Sequence, residues 1–346
     1  MSKYQTTRWQ RKLQSGFTLV ELMIAMLLGL IVIGGVVSVF LANQQTYRTN
    51  AALGDVQDSA RIAFELMAQD IRDAGLTGCN STPDSARVAN VLTNSPGGGG
   101  TAVWWADWNN SVHGYDGASA ATSPDPALSG LGSSVTYAPN TDSIQLIGVD
   151  HAGVSVNVDT ETAGTFTLNE TSTNLVQGDV VVVCDPDHST VVQLTAVSGT
   201  TLTHGMTGTP GNCSQGLGFP TVCSSAGNGY TFKRNALIAR LNATDWFVGT
   251  GADGVSSLYR VDLENKAGVP TPTAQQMVRN VSDLQIQYHL AGAVGFVDAG
   301  SVTNWPGVDA VRVTLTLQSA DQRAGTNAKP LQRTLTSTTS LRNRVH

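Results

Sequence analysis

The sequence predicts an α+β fold, in which one long N-terminal helix packs on a globular domain rich in antiparallel β-strands. Two observations predict it. Residues 17–74 join an apolar run to an amphipathic stripe, and both patterns are typical of a helix. Beyond about residue 80, Thr, Val, Ser, Gly and Asn are common and helix formers are few, which favours strands. A chain of 346 residues is long enough for a membrane segment and one or two soluble domains.

The first half of the predicted helix is long enough to cross a membrane. Residues 17–41 read FTLVELMIAMLLGLIVIGGVVSVFL and are apolar except for Thr18, Glu21 and Ser38. Because a helix rises about 1.5 Å per residue, about 20 residues span the hydrocarbon core of a bilayer. The basic residues among the first fifteen are Lys3, Arg8, Arg11 and Lys12, and no acid accompanies them. This asymmetry predicts a single-pass protein with a cytoplasmic N-terminus and the rest of the chain outside the cytoplasm.

The second half of the predicted helix is amphipathic. Residues 43–74 carry apolar side chains at helical spacing, and Gly75 and Gly78 then supply a stop signal. The apolar stripe consists of Leu53, Val56, Ala60, Ala63, Phe64, Met67 and Ile71. We expect this stripe to pack against a sheet.

The remainder of the chain is predicted as long loops followed by strands. Residues 80–140 have loop composition, including a run of four glycines at 97–100. Alternating apolar residues in 283–290 and 311–317 give the clearest strand pattern. The other β-rich stretches are 142–149, 179–184, 190–197, 232–241 and 257–263.

Three tryptophans lie close together within the predicted loop region. Trp104, Trp105 and Trp108 are followed by His113 and Tyr115. One interpretation is a binding or adhesive loop. The other, which we favour, is a small core beneath the loop, because aromatic side chains are most often buried.

The charge of the chain argues against nucleic acid as a partner. The formal net charge is −6, and taking away the four positive charges of residues 1–15 leaves −10 for the rest of the chain. Binding to phosphates needs a basic surface, which this body lacks. The acidity itself is explained most simply by solubility.

The four cysteines predict disulfides in an oxidising compartment. All four follow the apolar run, and none forms a CxxC pair, so a metal site is not expected. Four cysteines allow three pairings. We favour Cys213 with Cys223, which closes a short loop, and Cys79 with Cys184.

Motifs of catalysis or cofactor binding are not found. The six histidines show no HExxH or similar ligand spacing, and the sequence has no GxSxG, P-loop or GxGxxG context. The densest group of potential metal ligands is 184–188, CDPDH, which we interpret as a polar turn beside a disulfide. We expect neither an enzyme nor a bound cofactor or metal.

Glu21 is the residue that an ordinary membrane anchor does not explain. A carboxylate within a membrane segment costs about 2–3 kcal/mol on insertion scales, so it indicates a functional site with a partner. If the chain were cut after Gly16, the new α-amine of Phe17 would lie one helical turn from Glu21. In a packed array of helices, the amine of one subunit could then neutralise the carboxylate of the next.

These residues resemble a known signal. GFTLVE at 16–21, after a basic leader and before an apolar run, is similar to the N-terminal signal of type IV prepilins. The resemblance implies that a prepilin peptidase cuts between Gly16 and Phe17 and methylates Phe17. It further implies that Glu21 serves assembly.

The C-terminal part resembles the PilW family of minor pilins. The similar segments are NVSDLQIQYHL at 280–290, NWPGVDAVRVTLTL at 304–317, LQRTLTSTTSLRNRVH at 331–346 and, nearer the N-terminus, ARIAFELMAQDIRDAGLTGC at 60–79. This resemblance implies a structural subunit that helps to initiate or join pilus assembly, with roles in twitching motility and adhesion. The implied partners are prepilin peptidase, other minor pilins, the major pilin, the inner membrane and a tip adhesin.

The two resemblances together predict how the chain is divided. Residues 1–16 form a leader, 17–41 the membrane and assembly half of the helix, 42–78 its amphipathic half, and 79–346 the periplasmic domain. Two alternatives stay open at this point: a minor pseudopilin of a type II secretion system, and a signal-anchored periplasmic enzyme or binding protein.

Overall fold

The computed structural model describes residues 16–79, 88–117, 125–129, 131, 135–171, 174–325, 329–342 and 344. The predicted leader, apart from Gly16, lies outside these residues, as do parts of the predicted loop region and His346. The side chain of His151 is also outside the description. The described residues form a long helix followed by β structure, which confirms the predicted α+β fold.

Helix α1 runs from Leu19 to Asp73 without a break. At 1.5 Å per residue, its 55 residues extend over about 83 Å. The helix ends where Gly75 adopts a φ of 77°, a conformation that favours glycine. The Gly75 amide then donates to the Ile147 carbonyl oxygen at 2.7 Å, so the end of the helix is joined directly to a strand.

A short helix and sixteen strands follow within the described part of the chain. Helix α2 is Pro126–Ser129. The strands are β1 (Val88–Asn90), β2 (Val112–Tyr115), β3 (Thr136–Tyr137), β4 (Ser143–Thr160), β5 (Thr165–Leu168), β6 (Val180–Cys184), β7 (Ser189–Gln193), β8 (Ala196–Ser198), β9 (Thr201–Thr203), β10 (Leu237–Thr250), β11 (Ser256–Lys266), β12 (Val269–Arg279), β13 (Val281–Leu290), β14 (Phe296–Asp298), β15 (Val308–Gln318) and β16 (Gln332–Ser340).

These strands form two sheets. The larger has twelve strands, with the order β1-β7-β6-β10-β4-β5-β9-β8, and β2, β3, β11 and β12 attached beside β4, β10 and β11. Its pairings are antiparallel except for β1 with β7. The smaller sheet has four strands in the order β14-β13-β15-β16, all antiparallel. The predicted antiparallel character is therefore confirmed.

Helix α1 lies on the smaller sheet through the predicted stripe. Val56, Ala60, Ala63, Met67 and Ile71 are buried on the helix. They share one core with the inward residues of β13 and β15, where alternation buries one face of each strand. The predicted Leu53 and Phe64 are only half-buried, and Ala52 is buried in addition.

The close approach of helix and strand is made possible by one glycine. A Cβ at Gly148, on β4, would lie 2.4 Å from the carbonyl oxygen of Asp73. Only a residue without a side chain therefore lets β4 pass beside the last turn of α1.

A polar network holds the C-terminal part of helix α1 to the larger sheet. The Asp70 carboxylate receives Arg260 Nε at 2.9 Å and Nη2 at 3.1 Å, together with Trp246 Nε1 at 2.8 Å. Arg260 Nη1 also pairs with Asp262 at 2.7 Å. Because Trp246 is fully buried, Asp70 sets the rotation and height of the helix against β10 and β11.

Both predicted disulfides are present. Cys79, just beyond the helix, is joined to Cys184 at the end of β6, across 105 residues of sequence. Cys213 and Cys223 are joined across 10 residues within the segment between β9 and β10. The first bridge therefore connects the end of the helix to the larger sheet, and the second closes a local loop.

A buried pair of carboxyl groups lies between the larger sheet and α2. Asp245 on β10 is fully buried, and neither of its oxygens has a hydrogen-bond partner among the described residues. Burial raises the pKa of Asp245 well above its usual range, and the neighbouring Asp125 adds to the rise. Asp125 itself accepts hydrogen bonds from Ser143 Oγ, Gln145 Nε2 and the Ala127 amide.

This asymmetry predicts opposite effects of two amide substitutions. A raised folded-state pKa means that the folded state holds its proton more tightly, so stability is lost as the pH rises above about 4. We expect Asp245→Asn to raise the unfolding midpoint at about pH 8 and to flatten its dependence on pH between about 5 and 8.

Asp125→Asn is the matched control. Its amide would present N–H groups to the donors Ser143 and Gln145, so it should lower the midpoint at every pH. Thermal unfolding of the full chain in detergent micelles measures both variants. A midpoint of Asp245→Asn as dependent on pH as that of the parent would contradict the linkage to Asp245.

Candidate assembly site at the N-terminus

The predicted signal residues stand at the start of helix α1. Thr18 is the N-cap, and its side-chain oxygen accepts a hydrogen bond from the Glu21 amide at 3.3 Å. Glu21 Oε2 in turn receives the Thr18 amide at 3.1 Å and the Thr18 hydroxyl at 3.0 Å. This reciprocal arrangement is a capping box, which satisfies amide groups that the first turn of a helix leaves unpaired.

The capping box also fixes where the carboxylate of Glu21 points. It is turned back toward residue 18, next to the bond that links Phe17 to Gly16. A cut after Gly16 would create a positive α-amine one residue away from the amide that Glu21 already binds. The geometry therefore keeps the Glu21 carboxylate at the N-terminal end of helix α1.

Gly16 has no structural role that the described residues reveal. A Cβ at this position would have nothing within 4 Å. The side chain of Phe17 is likewise 87% exposed. Neither residue is explained by packing within the described part of the chain.

The apolar half of the helix is exposed along its whole length. Large apolar side chains from Phe17 to Leu41 face outward, and Glu21 is the one acid among them. The helix is the one among the described residues that is long and apolar enough to cross a membrane. From Leu19 to Leu41 it covers about 35 Å, compared with about 30 Å of hydrocarbon in a bilayer.

A loop of the domain contacts the helix just beyond the apolar run. Gln45 Nε2 donates to the carbonyl oxygens of Arg323, Ala324 and Gly325 at 3.1–3.2 Å. Thr49 Oγ1 donates to the Ala324 oxygen at 2.6 Å. The loop between β15 and β16 is thereby fixed to the helix at this height. Sequence reasoning missed this contact, because a Gln and a Thr on a helix carry no signal of a distant partner.

The three tryptophans belong mainly to the core. Trp105 and Trp108 are buried against the larger sheet, and Trp104 is half-buried beside them. His113 and Tyr115 belong to strand β2, and the centre of the His113 ring lies 4.5 Å from that of the Trp305 ring. The small-core interpretation therefore fits Trp105 and Trp108, and these two rings offer no exposed binding surface.

The segment 184–188 forms a polar turn. Asp185 Oδ1 accepts hydrogen bonds from the amides of Asp187 and His188, both at 3.0 Å. Cys184 is bonded to Cys79, and the Tyr230 hydroxyl donates to Asp185 at 2.8 Å. The oxygens and sulfur of this segment are thus already engaged within the fold.

Two family models match this chain, one at each end. The model of the prokaryotic N-terminal methylation motif matches residues 11–37, which include Gly16, Phe17 and Glu21. The model of type IV pilus-assembly protein W matches residues 245–344, from β10 to beyond β16.

The predicted resemblance to the PilW family is confirmed. The PilW region, residues 245–344, contains the whole smaller sheet, including β15 and β16, which helix α1 contacts. Residues 38–244 lie outside both matches. The chain has no significant match among curated proteins or solved structures. The two matches support a pilin related to type IV pili, with a membrane-anchoring N-terminal helix.

Proposed function

We propose that this chain is a minor pilin, a structural subunit that helps to initiate or join the assembly of a type IV pilus. The observation that carries the proposal is the exposed apolar half of helix α1, headed by the matched methylation motif. Such a surface is stable only when lipid or other apolar helices cover it.

The two coverings correspond to two stages. In the anchored stage, residues 17–41 lie in the inner membrane with the leader in the cytoplasm and residues 79–346 in the periplasm. In the assembled stage, the same residues pack against the helices of neighbouring pilins in the pilus at the cell surface. Residues 42–78 stay on the domain in both stages, because their stripe is already buried there.

Cleavage after Gly16 links the two stages. Prepilin peptidase removes residues 1–16 and methylates Phe17, which places a cationic amine beside the carboxylate of Glu21. Within the apolar interior of a bundle, a neighbour's amine can replace Thr18 as the partner of Glu21. The other minor pilins, the major pilin and a tip adhesin are the partners of this stage.

Gly16→Val tests whether the chain is processed as a prepilin. We expect the parent chain to lose residues 1–16 when it is expressed with a prepilin peptidase, and the variant to stay full length. N-terminal sequencing measures both. Gly29→Val is the control, because a Cβ at Gly29 also meets nothing within 4 Å, and this variant should be cut normally.

A parent protein that still begins at Met1 in the presence of the peptidase would contradict the proposal. It would leave a signal-anchored periplasmic protein instead. Purification of the cut chain with a secretion apparatus rather than with pili would favour a pseudopilin.

Two substitutions of Glu21 separate its charge from its capping role. Gln at the third position of a capping box still bonds the N-cap amide, whereas Ala cannot. If a charge pair drives assembly, Glu21→Gln and Glu21→Ala should both insert and be cut, and both should be strongly depleted from sheared pili. Immunoblots of sheared pili and of membranes measure the two pools.

Thr18→Ala completes the set. It removes the capping hydroxyl and keeps the carboxylate, so it should enter pili at a level close to that of the parent. Normal incorporation of Glu21→Gln together with loss of Glu21→Ala would show that the cap, and not the charge, is what assembly requires.

A further inference from the structure

We propose that a basic collar around helix α1 binds anionic phospholipid headgroups while the subunit is anchored in the membrane. The collar consists of Tyr47, Arg48, Arg323, Lys329 and Arg333. The inference rests on the anchored stage of the proposed function, and it assigns a ligand to a face of the domain that assembly does not explain.

The height of the collar follows from the contact between helix and loop. Gln45 and Thr49, which hold the loop, lie four and eight residues beyond Leu41, the last residue of the apolar run. At 1.5 Å per residue these positions are about 6 and 12 Å past the end of the run. The headgroup layer of a bilayer is about 5–8 Å thick on each side. The loop is thus held at the surface of the membrane.

The charges at this height are mainly positive. Arg48 on the helix, Arg323 and Lys329 in the loop, and Arg333 at the start of β16 are all exposed. Two acids are nearby: Asp321, which accepts the Arg323 amide, and Asp283, which accepts the Gln285 side chain, and the four cations outnumber them. Asp253 pairs with Arg279 at 3.1 Å. A positive band on an otherwise acidic body is suited to an anionic surface.

An aromatic residue supports a lipid surface as the partner. Tyr47 stands beside Arg48 with 76% of its surface exposed, about 9 Å beyond Leu41. Tyrosine is enriched at the level of the headgroups, where its ring meets the edge of the hydrocarbon and its hydroxyl meets water. The backbone of Tyr47 lies just beyond the headgroup layer. Because side chains on a helix tilt toward its N-terminus, the exposed ring can reach back into that layer.

The test compares two triple variants of the full chain that change the net charge equally. The collar variant is Arg48→Gln, Arg323→Gln and Lys329→Gln. The control variant is Arg72→Gln, Arg234→Gln and Arg342→Gln, which removes three exposed cations that do not belong to the collar. Arg72 lies about 36 Å along the helix from Arg48.

Each protein, in detergent micelles, is titrated with phosphatidylglycerol or with phosphatidylcholine, and bound lipid is counted by native mass spectrometry. We expect the parent and the control variant to prefer phosphatidylglycerol. In the collar variant, the ratio of affinities for phosphatidylglycerol and phosphatidylcholine should fall about fivefold for each residue replaced. Equal thermal midpoints of the three proteins establish that the variants are folded.

Three outcomes would overturn the proposal. They are equal binding of both lipids by the parent, a loss of preference in the control variant as large as in the collar variant, and an unchanged preference in the collar variant. A further experiment with assembled pili tests whether a neighbouring subunit covers the collar. Protection of Arg323 from trypsin only in pili would assign the collar to contact with that subunit. Processing by prepilin peptidase is scored separately, so failure of lipid binding leaves the pilin proposal standing.

Discussion

Replacing Cys79 and Cys184 together by alanine is expected to lower the free energy of unfolding by about 5 kcal/mol. The bridge closes a loop of 105 residues, and in the chain-entropy model a loop of this length restricts the unfolded chain by about that amount. The variant also frees the end of helix α1 from β6. Urea unfolding of the full chain in micelles, followed by tryptophan fluorescence, measures the change.

The second bridge is the matched control. Cys213 and Cys223 close a loop of 10 residues, so replacing both by alanine should lower the free energy of unfolding by about 3 kcal/mol. It should also leave the helix attached to the sheet. An equal loss in the two variants would mean that loop length does not determine the effect here. Free thiols detected by alkylation of the non-reduced parent protein would contradict the bridges themselves.

Asp70→Ala should produce the other large loss of stability, about 3 kcal/mol. Burial raises the pKa of Asp70, although the adjacent Arg260 acts in the opposite direction. The ion pair between Asp70 and Arg260 therefore supplies little net stabilisation. Removal of the Asp70 carboxylate, however, leaves the Trp246 N–H without its acceptor in the core. Arg260 would keep only Asp262 as a partner. The loss comes mainly from the groups left behind.

The same helix offers a control with similar chemistry. Arg61 and Glu65 form an ion pair at 2.9 Å, with 78% and 65% of their side chains exposed. Glu65→Ala should leave the free energy of unfolding nearly unchanged, because solvent screens an exposed pair on a helix. Urea unfolding compares the two variants, and a loss of stability as small for Asp70→Ala as for Glu65→Ala would refute the role of Asp70 in positioning the helix.

The parts of the fold that the sequence predicts are those with strong periodicity. The helix stripe and the alternation of β13 and β15 bury one face each, and the pattern of apolar residues reports this directly. The N-terminal motif is equally readable, because it is a short linear segment. The family models match this motif and the part of the chain that contains β13 and β15.

The parts that were missed lack such a pattern. Strand β12 contains Pro270 and Pro272, which are tolerated because it pairs only with β11 and forms an edge. Strand β16 is rich in Thr and largely exposed, so it shows little apolar alternation. Strand β10 was predicted to end at residue 241 but continues to Thr250.

Polar contacts between distant residues were also beyond reach. Asp70 meets Arg260 across 190 residues, and Gln45 meets Ala324 across 279. Nothing in the local sequence of either residue names its partner. The basic collar can be inferred only from the position of the loop on the helix, which requires the tertiary structure.

The order of elements along the chain has a consequence for folding. The helix leaves the ribosome first, yet the strands that cover its stripe, β13, β15 and β16, are the last to be made. The final strand lies beside the helix, where the Arg342 amide donates to the Arg72 oxygen. Until its last strands have been made, a nascent chain therefore cannot close this core. Contacts so distant in sequence form slowly, so the apolar stripe of the helix stays uncovered while the rest of the chain is made, which exposes the new chain to aggregation.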